Sequence, residues 1–121
     1  MKRLDEIEAR ANAATEGPWE AYPGYQTDFG AWMSAAVDTA GGEYLVVEAE
    51  RDKDADFIAH ARTDVPALVE ALRAVLNLHF KAQPIPAAFG TQEGGDYCVT
   101  CAEDWPCPTV ETIHQHLGED A

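Results

Sequence analysis

The segment from Asp54 to Phe80 constrains the fold most, because its apolar residues recur at steps of three and four. This spacing predicts one apolar stripe along an α-helix. The stripe comprises Ile58, Ala61, Val65, Leu68, Leu72, Val75 and Leu76, with His79 one turn beyond. Pro66 lacks a backbone donor and crowds the preceding turn, so we expect it in a first turn. The segment is therefore predicted to be broken: a short helix over Asp54–Arg62, a break at Thr63-Asp64 that supplies the N-cap, and a longer helix over Val65–Phe80.

The N-terminal residues 2–15 show the same helical spacing of apolar residues. Leu4, Ile7, Ala11 and Ala14 form the stripe, and charged residues lie outside it. We predict an amphipathic helix that ends at Gly17-Pro18, because proline cannot continue a helix.

Three short segments that follow have the composition of β-strands: Trp19–Tyr22, Ala31–Val37 and Glu43–Ala49. The short DTAGG turn between the last two favours a hairpin, so the three are predicted to form an antiparallel meander. Such a sheet needs cover on one face, which the stripes of the first and third helices can supply. The expected core or sheet-face aromatics are Trp19, Trp32 and Tyr44.

The C-terminal third begins with a predicted loop over Lys81–Asp96, which contains Pro84 and Pro86. A cysteine cluster follows, and then a short helix over Pro108–Leu117 that Gly118 ends. The whole chain, residues 1–121, is thus predicted to be one α+β domain. Residues 1–80 would form its core, and residues 81–121 the loop, the cysteine cluster and the terminal helix.

The chain is strongly acidic, with 8 Lys and Arg against 22 Asp and Glu and a net charge of −14. This balance argues against a nucleic-acid backbone or an anionic membrane surface as ligand, since phosphate contacts need cations. Acidity favours solubility, and it is also compatible with a surface that imitates DNA. There is no apolar run of about 18 residues and no signal-peptide pattern, so we expect a cytoplasmic protein.

The three cysteines all lie between Cys98 and Cys107, and an odd number without a secretory signal disfavours a disulfide framework. The two-residue gap between Cys98 and Cys101 lets one turn aim both sulfurs at one ion, and zinc prefers four such ligands. We predict a structural zinc site of His79, Cys98, Cys101 and Cys107, with His114 as the alternative fourth ligand. The competing interpretation is three unpaired thiols beside a core histidine.

The chain also resembles a known family. The opening LDEIEARANAATEGPWEA, the turn VDTAGGE and the segment ADFIAHARTDVPALVEALR are similar to the Ead-like family of small phage early-region proteins, found in actinobacteriophages. The tail resembles a second actinophage pattern, in which Leu-His is followed by C-x2-C and then by Trp-Pro-Cys-Pro-Thr. Here Lys81 occupies the position of the usual proline. The resemblance implies a phage accessory protein and no particular activity.

No nucleotide-binding glycine loop, G-x-S-x-G or H-E-x-x-H motif is present, so we expect a protein that is not an enzyme. The predicted function is a non-enzymatic module that binds a host or phage protein in the host cytoplasm. One alternative is an acidic inhibitor of a host protein, of the DNA-mimic or anti-defence type. Another is a sponge for a small ligand or nucleotide, for which Arg62 and Arg73 are among the few available cations. A metal-dependent hydrolase would require an open coordination position.

Overall fold

The structure is a computed structural model that describes residues 2–83 and 95–119. The fold is α+β, as predicted. Its elements in chain order are α1 (Lys2–Ala13), β1 (Trp19–Tyr22), β2 (Tyr25–Gln26), β3 (Trp32–Met33), β4 (Ala35–Thr39), β5 (Leu45–Ala49), α2 (Asp52–Leu78), β6 (Lys81–Ala82), β7 (Tyr97–Cys98) and α3 (Pro108–Leu117). Most of the predicted loop over Lys81–Asp96, including Pro84 and Pro86, lies outside the described residues.

The chain divides into two compact units. One unit spans Ile7–Val69 and contains the first five strands. The other combines Met1–Glu6 with Glu70–Ala121, and it contains all three cysteines.

The predicted three-stranded antiparallel sheet is present, in the order β1-β4-β5. The predicted strand Ala31–Val37, however, is divided between two sheets. Its first part, β3, pairs with β2 in a separate ribbon, and its second part belongs to β4. The ribbon closes at Gly30, which has a φ of 82°. Gly24 admits no larger residue, since an added Cβ would lie 2.7 Å from the Trp32 ring and 2.9 Å from the Met33 carbonyl oxygen.

The core of the Ile7–Val69 unit is built from small side chains. Ala35 and Val37 alternate inward along β4 and meet Ala55 and Ala59 of α2. The long helix thus covers the sheet, but the contact is made by Ala55 and Ala59 in the segment predicted as the short second helix, whereas the cover was predicted from the first and third helices. Alanines at both positions let helix and strand approach closely. Of the predicted aromatics, Trp19 packs against this core, whereas Trp32 and Tyr44 are 63% and 68% exposed and do not.

The predicted break in the long helix is wrong, because α2 is continuous over 27 residues and contains Pro66 in its interior. The Thr63 hydroxyl donates to the His60 carbonyl at 3.1 Å, so it bonds back within the helix instead of capping a new one. Pro66 removes only one backbone hydrogen bond of the helix, and the hydrogen-bonded turns before and after it keep the helix continuous.

The buried line along α2 also differs from the predicted stripe. Ala55, Ala59 and Val69 are the buried residues, while Leu68 is 64% exposed and Val75 is 37% exposed. Periodicity locates an apolar stripe to within about one residue position, and the packing partners decide which of two neighbouring positions is buried. Here the helix positions that face the sheet are alanines, and alanines contribute little to the hydrophobic periodicity of a sequence.

The two terminal helices agree more closely with prediction. Helix α1 ends at Ala13 and buries Leu4, which is 1% exposed. Helix α3 has the predicted bounds, with Pro108 in its first turn and Gly118 at its C-cap in the left-handed conformation, at a φ of 76°. Within the described ranges, no helix combines the length and the apolar character needed to cross a membrane.

Candidate metal centre

The candidate centre begins where α2 ends. His79 directly follows the last helical residue, and its N–H still donates to the Val75 carbonyl at 3.2 Å. Two residues later β6 begins, and Lys81 pairs with Cys98 in β7. This two-stranded ribbon carries Cys98 back to the end of the helix, although most of the residues between the two strands lie outside the described part of the chain.

The second cysteine is positioned by a tight turn from Cys98 to Glu103. The Cys98 N–H donates to the Glu103 carbonyl at 2.8 Å, and the Ala102 N–H donates to the Cys98 carbonyl at 2.9 Å. Ala102 completes the turn with a φ of 61°, a value that side chains other than glycine rarely adopt. The turn thus directs the Cys101 side chain toward Cys98, as the two-residue gap predicts.

The third cysteine is the N-cap of α3. Cys107 has extended backbone angles, and its side chain makes no capping hydrogen bond. Its sulfur is therefore available to the cluster, and the N-terminal end of a helix favours a negatively charged thiolate. Cys98, Cys107 and Val110 form a buried cluster on which Leu76 and Trp105 pack.

These elements bring the side chains of His79, Cys98, Cys101 and Cys107 close to one another. Their four potential ligand atoms all lie within 4.8 Å of one another. The Nδ1 atom of His79 lies 3.4 Å from the Cys98 sulfur and 3.6 Å from the Cys107 sulfur. A tetrahedral zinc with bonds of about 2.3 Å to sulfur and 2.0–2.1 Å to nitrogen separates these two ligand types by about 3.6 Å. The observed spacing is compatible with two ligands on one tetrahedral ion, and it is also the spacing of a hydrogen bond between a thiol and an imidazole nitrogen.

The thiols of the cluster are not joined by disulfides. Cys98 and Cys107 are fully buried at 0% exposure, His79 is half-buried and Cys101 is exposed. A metal held here would therefore be enclosed on the side of Leu76 and Trp105 and near the surface at Cys101. The cluster is compatible with a metal site.

The electrostatics of the cluster favour a thiolate at Cys98. Burial raises the pKa of this thiol, but hydrogen bonds from the backbone N–H groups of Cys101 and Thr100 and from the His79 and Cys101 side chains lower it to about 6. At Cys101 the Glu103 N–H lowers the pKa, whereas desolvation and the neighbouring thiols Cys98 and Cys107 outweigh it and raise the pKa. One thiolate thus forms readily, and the next requires a compensating positive charge.

The two other C-terminal histidines are not among the four clustered groups. His114, the alternative fourth ligand, lies half-buried on α3, and its carbonyl accepts the Glu119 N–H at 2.8 Å. The Nδ1 atom of His116 lies 2.9 Å from the Thr112 carbonyl oxygen. The two histidines predicted as the fourth ligand are His79 and His114, and the geometry favours His79.

Sequence reasoning missed two features that shape the centre. The first is the β6–β7 ribbon, whose strands are two residues each and show no alternating pattern. The second is the left-handed backbone conformation at Ala102. A glycine at this position would have indicated that conformation in the sequence, whereas an alanine does not.

Comparisons of the chain with protein-family models, with curated proteins and with solved structures found no match.

Proposed function

We propose that the cluster is a structural zinc centre and that the chain is a non-enzymatic binding module built around it. The observation that carries this proposal is the convergence of one imidazole nitrogen and three thiols from three separate elements on a single point. Three thiolates and one imidazole are the donor set of closed, tetrahedral zinc sites. Four protein ligands leave no open position for a substrate, which separates this proposal from a metal-dependent hydrolase.

Zinc is favoured over other ions by the chemistry of the donors. Calcium and magnesium require oxygen ligands, and none of the four clustered groups supplies one. Soft thiolates select zinc, copper(I) or iron, and a tetrahedral arrangement of sulfur and imidazole is typical of zinc. Free thiols also persist in a reducing compartment, which supports the proposal that the protein acts in the cytoplasm.

The centre holds an apolar surface in place. Leu78, Phe80 and Val99 are 61%, 52% and 44% exposed. They are tied together by backbone contacts, since the Val99 N–H donates to the Phe80 carbonyl at 3.0 Å and the Thr100 hydroxyl donates to the Leu78 carbonyl. A patch of exposed apolar side chains held on a rigid turn is a feature of protein-binding surfaces. We call these three residues the knuckle patch.

The charges around the knuckle patch indicate the kind of partner. Lys81, which directly follows Phe80, pairs with Asp96 at 3.7 Å. Residues 82–121 contain no Lys or Arg, and the described part of this segment also carries Glu103, Asp104, Glu111 and Glu119. A partner with an apolar anchor and surrounding Lys or Arg would fit both features. Together with the resemblance to Ead-like phage proteins, this supports a host or phage protein as the partner.

Cobalt substitution tests the metal centre directly. Co²⁺ in place of zinc reports ligand type and geometry by absorption, and we expect the intense visible bands of a tetrahedral ion together with thiolate charge-transfer bands. Weak bands of a six-coordinate ion, or bands that shift when small anions are added, would show an open site and contradict the proposal.

The binding module is tested with a pair of matched variants. Phe80→Ser removes an apolar side chain from the knuckle patch, and Phe57→Ser removes one that is 75% exposed in the other unit. A protein retained from actinobacterial lysate by the native chain should be lost with Phe80→Ser and kept with Phe57→Ser. Equal retention by both variants would contradict the assignment of this patch.

A further inference from the structure

A second site lies in the Ile7–Val69 unit, between α1 and the first half of α2. It is a pocket of about 310 Å³, and its floor is apolar. Alanines at three of the floor positions leave the depth that larger side chains would fill. The floor consists of Ile7, Ala11, Ala14, Ile58, Ala61 and Val65.

Aromatic rings stand at the border of this pocket. Trp19 is half-buried beside it, and Phe57, also part of the lining, is 75% exposed. An exposed phenylalanine next to an apolar depression offers contact area to a ligand that enters it. The volume is at the lower end of the range of about 300–1,000 Å³ found for small-molecule sites, so it suits a small ligand and not a large cofactor.

Two of the eight cations of the chain also line the pocket, Arg10 and Arg62. Arg62 is fixed in place, because its Nε donates to the Thr15 carbonyl at 2.9 Å and its guanidinium lies 5.8 Å from the centroid of the Trp19 ring. Arg10 is exposed. Among the described residues neither arginine forms an ion pair with a carboxylate, whereas Arg73 pairs with Asp5 at 2.7 Å.

The charge of the chain limits what such a pocket can bind. A net charge of −14 repels anions at long range, but salt screens this repulsion beyond about 8–10 Å. Arg10 and Arg62 are the charged side chains among the residues that line the pocket. A planar guanidinium matches a carboxylate through two parallel hydrogen bonds. A single negative charge suffers less repulsion from the rest of the chain than the double charge of a phosphate monoester.

We propose that this pocket binds a small molecule with an apolar body and one carboxylate group. Its acyl or aryl body would lie on the alanine floor between α1 and α2, and its carboxylate at Arg10 and Arg62. The site is separate from the metal centre, so the proposal stands or falls independently of zinc.

The test uses the full zinc-loaded chain with 2-naphthoate and decanoate as probes. Titration by calorimetry and by amide NMR should give a Kd below about 1 mM for at least one probe, with shifts concentrated on the pocket residues. The neutral 2-naphthamide should bind about tenfold more weakly than 2-naphthoate, since it lacks the charge-assisted hydrogen bonds. Failure of both probes to bind at millimolar concentration would overturn the proposal.

Variants locate the binding. Arg10→Gln should weaken carboxylate binding about tenfold, and Ala61→Leu, which fills the floor, should abolish it. Arg51→Gln is the matched control, because it removes one exposed cation that does not line the pocket and should leave the Kd unchanged. If Arg51→Gln weakens binding as much as Arg10→Gln does, the effect is one of net charge and the assigned site is wrong. Because Arg10 is exposed, its substitution tests the proposal even if Ala61→Leu disturbs folding.

Discussion

Ala102 shows how the candidate metal centre is built at the scale of one residue. A φ of 61° costs an alanine about 1–2 kcal/mol, because its Cβ crowds the neighbouring carbonyl. Such a conformation persists only where the surroundings determine it. Here the turn closes through the Cys98 N–H and directs the Glu103 N–H at the Cys101 sulfur. The strained backbone of Ala102 is therefore part of the turn that places the thiols close to one another.

We expect Ala102→Gly to stabilise the protein by about 0.5–1 kcal/mol, since relief of the left-handed strain exceeds the added entropy of the unfolded chain. Ala74→Gly, at an exposed position in α2, is the control and should destabilise by about 1 kcal/mol. Urea unfolding of the zinc-loaded proteins measures both. A loss of stability in Ala102→Gly would mean that this backbone conformation is not the one the protein adopts.

The choice of the histidine ligand is a second residue-scale prediction. His79→Ala should weaken zinc binding more than about 100-fold, because losing a direct ligand costs more than losing a residue that only supports one. His114→Ala should leave the affinity unchanged, since His114 is outside the cluster. Competition against a chromogenic zinc chelator provides both affinities, and a reversed order would transfer the ligand role to α3.

The exposed pair of Asp5 and Arg73 gives a prediction about pH. The hydrogen bond from Arg73 lowers the pKa of the Asp5 carboxyl in the folded state. A lowered folded pKa means that the pair stabilises the protein above the unfolded pKa of about 3.9, and that this contribution is lost as the pH falls through the folded value. In Arg73→Gln the NMR titration of Asp5 should move to higher pH. The control Arg62→Gln should not move it, and an unchanged Asp5 pKa in Arg73→Gln would exclude the pair.

At the scale of the elements, α2 shows how tertiary structure overrides a local rule. Proline in a helix interior forfeits one hydrogen bond and crowds the turn before it, so Pro66→Ala should stabilise the protein by about 1–2 kcal/mol. Pro108→Ala, at the first turn of α3, removes a proline that costs nothing there and should be neutral or slightly destabilising. Thermal unfolding by circular dichroism compares the two. Destabilisation by Pro66→Ala would show that the helix requires a kink.

The sequence was informative where structure is local. The bounds of α3 follow from Pro108, Gly118 and the apolar spacing between them, and β1 follows from its flanking turn residues. The two-residue strands of the β2–β3 and β6–β7 ribbons could not be predicted, because pairing between distant residues defines them and a two-residue run has no period.

The four residues of the candidate metal cluster were predicted from the sequence, because the two-residue gap between Cys98 and Cys101 is a local pattern that places both sulfurs on one turn. The pocket between α1 and α2 gave no such signal. Its alanines resemble ordinary helix residues, and only the packing of α1 beside α2 places Arg10 and Arg62 at one depression. A site formed by distant small residues leaves no local pattern in a sequence.

At the scale of the whole molecule, the unit that contains the cysteines has little apolar core of its own. Among its described residues, the buried hydrophobic side chains are Leu4, Cys98, Cys107 and Val110. A core of this size is too small to order so much chain, and small domains of this kind depend on a metal or on disulfides. With all three thiols unpaired, the zinc ion that we propose would supply that stability.

Metal content is the most direct test of this account. Elemental analysis of the protein purified from cells grown with zinc should find one zinc per chain. Cys101→Ser should lose the zinc and much of the folded signal of the unit that contains the cysteines, while the matched control Thr100→Ser should retain both. A well-folded native protein that carries no zinc, or a Cys101→Ser variant that keeps a full equivalent, would contradict the central claim.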